Sequence, residues 1–227
     1  MVDPLDNIAW HSLIGPHARF AVGAGAARRY APGFSPLAAF AEPQRPDFDA
    51  LAAHCVPGEQ LYCVDWTGAV PAGWQVDVET ALLCMVWAAT EPPKDDAPDA
   101  RPLDARHAAQ ALQLTGITRP GPFGPRTLEL GDYFGIFEGE QLVAMAGERL
   151  HAGSLREVSG VCTLPAFQGR GLARRLMGKL MARQVARDET PFLHVLASNT
   201  GAQALYRQLG FRDERLRVLR VVSRSRM

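Results

Sequence analysis

The hydrophobic pattern of this chain is sharpest after residue 98 and changes period along the way. Tyr133–Phe137 and Gln141–Glu148 are short apolar stretches joined by Glu138-Gly139-Glu140, the pattern of a β-hairpin with glycine at the tight position. A second turn, His151-Ala152-Gly153-Ser154, leads into Leu155–Thr163, so three antiparallel strands in meander order are expected. The period then lengthens to that of a helix from Leu172 to about Arg187. An apolar strand, Phe192–Leu196, a helix after Asn199 and a last strand around Arg215–Val222 complete the series. Before these elements, Asp104 is placed to cap a helix running to about Leu114, and Arg119-Pro120-Gly121-Pro122-Phe123-Gly124-Pro125 forbids regular structure.

The N-terminal pattern is weaker. Ala18–Val22 and Gln60–Val64 read as short strands, Asp47–Cys55 as a helix with Asp47 as its N-cap, and Val78–Ala89 is an apolar run whose period fits neither type. Glu91-Pro92-Pro93-Lys94-Asp95-Asp96-Ala97-Pro98-Asp99 has three prolines and little to bury, which reads as a linker. Two parts are therefore expected, a smaller α/β half over residues 1–97 and an α/β (α+β) domain over 98–227.

The most specific local feature is Val161-Cys162-Thr163-Leu164-Pro165-Ala166-Phe167-Gln168-Gly169-Arg170-Gly171-Leu172-Ala173, a buried strand that runs through a glycine-rich turn into a helix. Glycine permits positive φ and close backbone approach, and a helix N-terminus offers unpaired N–H donors to an anion. The turn resembles the Gln/Arg-x-x-Gly-x-Gly/Ala signature of the GNAT acyltransferase superfamily, with Gln168, Gly171 and Ala173 in the signature positions. Downstream, Asn199-Thr200-Gly201-Ala202 through Tyr206, followed by Leu209-Gly210-Phe211, is similar to the second GNAT motif at every signature position. The two motifs stand in the family's order, a helix and a strand apart.

The resemblance implies a mixed, mainly antiparallel central sheet flanked by helices, and acetyl-coenzyme A as acyl donor. It implies that Gln168, Gly169, Arg170, Gly171, Leu172 and Ala173 hold the pyrophosphate, that the backbone of Val161, Cys162 and Thr163 pairs with the pantetheine arm, and that Asn199 bonds the arm or caps its helix. By the same resemblance Glu157 stands where several GNAT enzymes carry the general base, and Tyr206 where the family's tyrosine donates to the departing sulfur. With a period of two, Glu157, Ser159, Val161 and Thr163 are expected on one face, and a half-buried carboxylate there is expected to have a raised pKa. The competing reading of Glu157 is a salt bridge to Arg149 or Arg156, and Tyr206 and Asn199 have packing and capping alternatives. Cys162 reads as a buried hydrophobe rather than a nucleophile, His194 as a core histidine, and Arg170 as a better phosphate contact than Arg175.

Composition narrows the partners. Lys+Arg 24 against Asp+Glu 24 gives a net charge of zero, so nothing in the overall field points to nucleic acid or an anionic membrane. Arg215, Arg217, Arg220, Arg224 and Arg226 alternate with apolar residues, which suggests a terminal strand with a wet side rather than an RNA site. The four cysteines, Cys55, Cys63, Cys84 and Cys162, have no metal-ligand spacing, so no metal is expected. Free thiols, and a start without a basic region followed by an apolar one, suggest a cytoplasmic protein. The expected activity is transfer of an acetyl group to a primary amine of a small molecule or peptide. An amino-acid acyltransferase using a longer acyl group, similar in its two-part layout to glycine N-acyltransferases, and a non-catalytic coenzyme A-binding module are the alternatives. The acceptor is not written in the sequence, and a homodimer is left open.

Overall fold

A computed structural model describes residues 3–225; Arg226, expected at the end of the last strand, lies outside the described residues. The main body is an eight-stranded sheet ordered β4-β11-β5-β10-β9-β8-β7-β6. Its strands are β4 Gln60–Val64, β5 Trp74–Trp87, β6 Arg101–Pro102, β7 Tyr133–Glu138, β8 Gln141–Ala152, β9 Leu155–Thr163, β10 Thr190–Leu196 and β11 Phe211–Arg224. The expected meander is present as β7-β8-β9, antiparallel throughout, while β10 runs parallel to β9. A parallel neighbour requires a crossover, and helix α4, Leu172–Val185, supplies it.

The untyped apolar run Val78–Ala89 lies for its first ten residues in β5, a 14-residue strand between β10 and β11 that begins four residues earlier and ends at Trp87. Residues before the expected division at Ala97 and Pro98 thus contribute two strands, β4 and β5, to the same sheet as the residues after it. The remaining N-terminal elements form a separate layer: α1 Ile8–Ile14, a small sheet of β1 Ala21–Val22, β2 Ala27–Tyr30 and β3 Ala38–Phe40, and α2 Phe48–Ala52. Asp47 caps α2 as expected, its Oδ1 accepting from the Ala50 N–H at 3.0 Å, and Asp104 accepts from the Arg106 N–H at 2.9 Å in the short turn that leads into α3, Ala108–Thr118.

Leu176, Met177, Leu180 and Met181 of α4 are fully buried and share a core with Leu83 and Met85 of β5, Leu193 and Val195 of β10 and Met145 of β8. On the opposite face Phe192 and Cys84 pack with Leu5, Ile8 and Leu13 and with Tyr30. The sheet therefore lies between α4 and the N-terminal layer. The proline-rich segment 91–99 is no free linker. It lies along α4, with Ala97 fully buried, Lys179 paired to Asp95 at 2.7 Å and Arg175 bonded to Asp96 and Asp99.

The C-terminal arginines among the described residues, Arg215, Arg217, Arg220 and Arg224, are held within the molecule. Arg215 pairs with Asp6, Arg220 with Glu79 at 2.7 Å, and Arg217, expected on a wet face, is buried against Asp65 and the Leu5 carbonyl. The sequence pattern misses this because the carbonyl and carboxylate partners of Arg217 come from more than 150 residues away.

Candidate active site

Strands β9 and β10 are paired only at their starts, from Leu155 with Thr190 to Glu157 with Phe192. A bulge explains why they part. Ser159 faces Gly147 and Cys162 faces Met145, so Gly160 and Val161 together oppose the single residue Ala146. Gly160 has φ +62°, a conformation that favours glycine, and a bulge there bends its strand and leaves the edge beyond it unpaired with β10. The bulge also breaks the alternation. Glu157, Ser159 and Cys162 share one face of β9, whereas Thr163, opposite Ala144, lies on the other, so the single face expected from period two ends at Gly160.

The glycine-rich turn sits at the open end of this gap. Gly169 and Gly171 have φ +76° and +75°, and a Cβ on either would meet no atom within 4 Å. Gly171 is the N-cap of α4 and has no side chain to satisfy the first turn of that helix. An uncapped N-terminus beside open glycine backbone suits a phosphate, which would accept the free N–H donors and meet the positive end of the helix dipole. Gln168 donates from Nε2 to the Thr163 carbonyl at 3.3 Å, tying the turn to the end of β9. Arg170 stacks over Phe167 at 4.7 Å and donates to the Ala166 carbonyl, so its guanidinium stays by the turn. Leu172 and Ala173 open α4 on the same wall of the cleft.

The helix α5, Thr200–Gln208, carries the second motif. Asn199 caps it, its Oδ1 accepting from the Ala202 N–H at 3.1 Å. Tyr206, two turns from the cap, packs edge-on against Phe211 at 6.1 Å and lines the cleft. Burial pushes its phenol up to about 12, so the hydroxyl keeps its proton at neutral pH.

Glu157 is fully buried, not half-buried. Arg149 donates to it from Nε at 2.9 Å and from Nη2 at 2.8 Å, the Leu150 N–H donates at 3.2 Å, and His194 Nδ1 lies 2.9 Å from Oε1. Burial alone would raise its pKa as the sequence suggests, but the Arg149 guanidinium and His194 overcome it and hold the carboxyl at about 2. Burial works against a charge on His194 too, yet Cys84 and Glu157 raise its pKa to about 9. His194 Nε2 and the Tyr133 hydroxyl are buried without a hydrogen-bond partner among the described residues. The sequence reading named Arg149 only as a salt-bridge alternative and left His194 in the core; the structure joins both to Glu157. Cys162 is buried and its thiol pushed up to about 11 by burial, which fits a small hydrophobe.

These parts open into one cleft of about 920 Å³. It runs from the glycine turn, past Val161, Cys162 and Thr163 and along Asn199 and Tyr206, to Arg149 and His194 beneath the N-terminal layer. A gap between diverging strands, a glycine turn at the start of the crossover helix and a tyrosine on the next helix are the arrangement that the resemblance to the GNAT superfamily leads one to expect. Comparison with known proteins agrees. Residues 133–221 match the family described as FR47-like protein. A solved GNAT-family acetyltransferase from Novosphingobium aromaticivorans DSM 12444 is 35% identical, covers 99% of this chain and 100% of its own, and superposes with a TM-score of 0.89. A GCN5-related N-acetyltransferase from Kribbella flavida shares the fold at 20% identity and a TM-score of 0.58, covering 95% of this chain and 94% of its own. The chain belongs to the GNAT family of N-acetyltransferases. It is also 43% identical over 61 residues to the N-alpha-acetyltransferase RimI of Mycobacterium tuberculosis (strain ATCC 25618 / H37Rv), spanning 27% of this chain and 37% of that relative.

Proposed function

We propose that this protein transfers an acetyl group from acetyl-coenzyme A to the primary amine of a small acceptor by direct attack in a ternary complex. The observation that carries this reading is the single cleft that joins an uncapped helix N-terminus to the buried Arg149, Glu157 and His194 cluster. Bound in it, acetyl-coenzyme A would supply an acyl group activated as a thioester. Gly169, Arg170, Gly171, Leu172 and Ala173 would hold the pyrophosphate through backbone N–H groups, with Gln168 fixing the turn.

The edge of Val161, Cys162 and Thr163, freed from β10 by the bulge, has backbone groups available to an extended arm and to the oxyanion formed on attack. Asn199 holds the start of α5 and so the position of Tyr206, whose protonated hydroxyl is the group we assign to meet the departing sulfur. Glu157 is already ionised and filled with donors, so we assign proton uptake to the neutral form of His194, which gains population as pH rises toward 9, with the carboxylate orienting the imidazole. The N-terminal layer, from the half expected over 1–97, covers the acceptor end.

Gly171→Val tests the donor half. A β-branched residue at φ +75° is strained and puts its side chain where backbone must approach phosphate, so affinity for acetyl-coenzyme A should fall at least tenfold by calorimetry. Unchanged affinity in a folded variant would place the donor elsewhere.

A further inference from the structure

The charges lining the cleft are lopsided. Arg119, Arg149, Arg174 and Arg217 line it, and among the described residues its one lining carboxylate is Asp65. That carboxylate is engaged by Arg217, and Glu157, behind the wall, is engaged by Arg149. Such a field suits the anionic donor and opposes a polycationic acceptor, because no free carboxylate remains to draw a second or third ammonium into the site.

Beside Asn7 and Tyr62, the acceptor end carries a run of apolar side chains. Ile8 and Leu37 of the N-terminal layer and Leu82, Leu150 and Leu219 of the main sheet line it, with Ile8, Leu37 and Leu150 packed in one cluster. Ile8 is 4% exposed and Leu37 6%, so this wall is packed rather than a loose flap. Arg217 fastens it, donating to the carbonyls of Leu5 and Asp6 just before α1. The cover is built from residues outside the 133–221 stretch that matches the family.

Resting on the acetyltransferase reading above, we propose that the acceptor is a small primary amine carried on an apolar, aromatic or branched aliphatic body, seated against the half-buried Leu82, and not a polyamine or a lysine-rich peptide. A single ammonium beside apolar surface loses its charge more readily than one in a polycation held by carboxylates, and attack requires the neutral amine. The apolar body supplies the binding, at roughly 25 cal/mol for each Å² removed from water.

The test starts with calorimetry of acetyl-coenzyme A, where absence of binding would overturn the acetyltransferase reading and this inference with it. Thiol release is then compared for 2-phenylethylamine, spermidine and an unblocked lysine-containing hexapeptide. The expected kcat/KM for 2-phenylethylamine is at least tenfold above either of the others. Leu82→Asp, at a half-buried position, should narrow that ratio at least tenfold while acetyl-coenzyme A still binds. Preference for spermidine or the peptide, or no release with 2-phenylethylamine by a protein that binds the donor, would overturn the inference and leave the donor site standing.

Discussion

Glu157 shows how far a residue's neighbours decide its chemistry. With a folded pKa of about 2 against roughly 4.3 for a free glutamate, its pairing stabilises the fold above about pH 4.3, and that contribution is lost as pH falls toward 2. His194 has the opposite sign. Raised to about 9 from an ordinary value near 6.5, it contributes fully below about pH 6.5 and loses its contribution as pH rises through 9. The cluster is therefore at full strength between about pH 4.3 and 6.5. Glu157→Gln leaves Arg149 buried without its counter-charge and should cost about 3–5 kcal/mol in urea unfolding at pH 6. The same variant should move the acidic limb of kcat/KM to lower pH, since His194 loses the carboxylate that raises it; a limb that stays in place assigns the proton to another group. Tyr206→Phe keeps the ring against Phe211 and deletes only the hydroxyl, so stability should hardly change while single-turnover transfer slows by ~10²-fold.

Among the elements, those with strong local signals were legible in the sequence and those defined by distant partners were not. The β7-β8-β9 meander, the crossover helix and the last strand follow from period and turns alone. By contrast β5 is buried on both faces only near its end, from Leu83 to Met85, so its alternation is smeared and its type is set by pairing with β10 and β11. The site shows the same division. Counting back from the turn at Gly153 places Leu150, not Arg149, opposite Glu157. A bulge in β8 sets both residues against that one position and brings Arg149 onto the carboxylate. A bulge of this kind has no signature in the sequence of β8, whereas Gly160 marks the one in β9.

Segment 91–99 belongs to this scale too. Gly178 lies inside α4, where replacement by Ala ordinarily gains roughly 0.5–1 kcal/mol. Here the new Cβ would come within 2.4 Å of the Lys94 carbonyl oxygen. Gly178→Ala should therefore destabilise the protein by about 1–3 kcal/mol, and a gain in unfolding midpoint would mean the segment does not press on the helix.

For the whole molecule, the main-sheet strands and the N-terminal layer are joined by more than chain continuity. β5 lies between β10 and β11, β4 closes the edge beyond β11, and Arg217 ties the main sheet to the residues before α1. The composition break at 91–99 is a change in sequence character along a continuous chain whose two sides share one sheet.

Threading of β5 through the sheet makes the two sides of that break interdependent as fragments. Residues 98–227 expressed alone would expose the facing edges of β10 and β11 as unpaired strand, and so should aggregate or remain unfolded. A chain nicked within 91–99 should instead hold together without its peptide bond. Separately produced 1–97 and 98–227 pieces, mixed during refolding, should co-elute as one species and recover acetyl-coenzyme A binding, a reconstitution that two independently folding domains would not need.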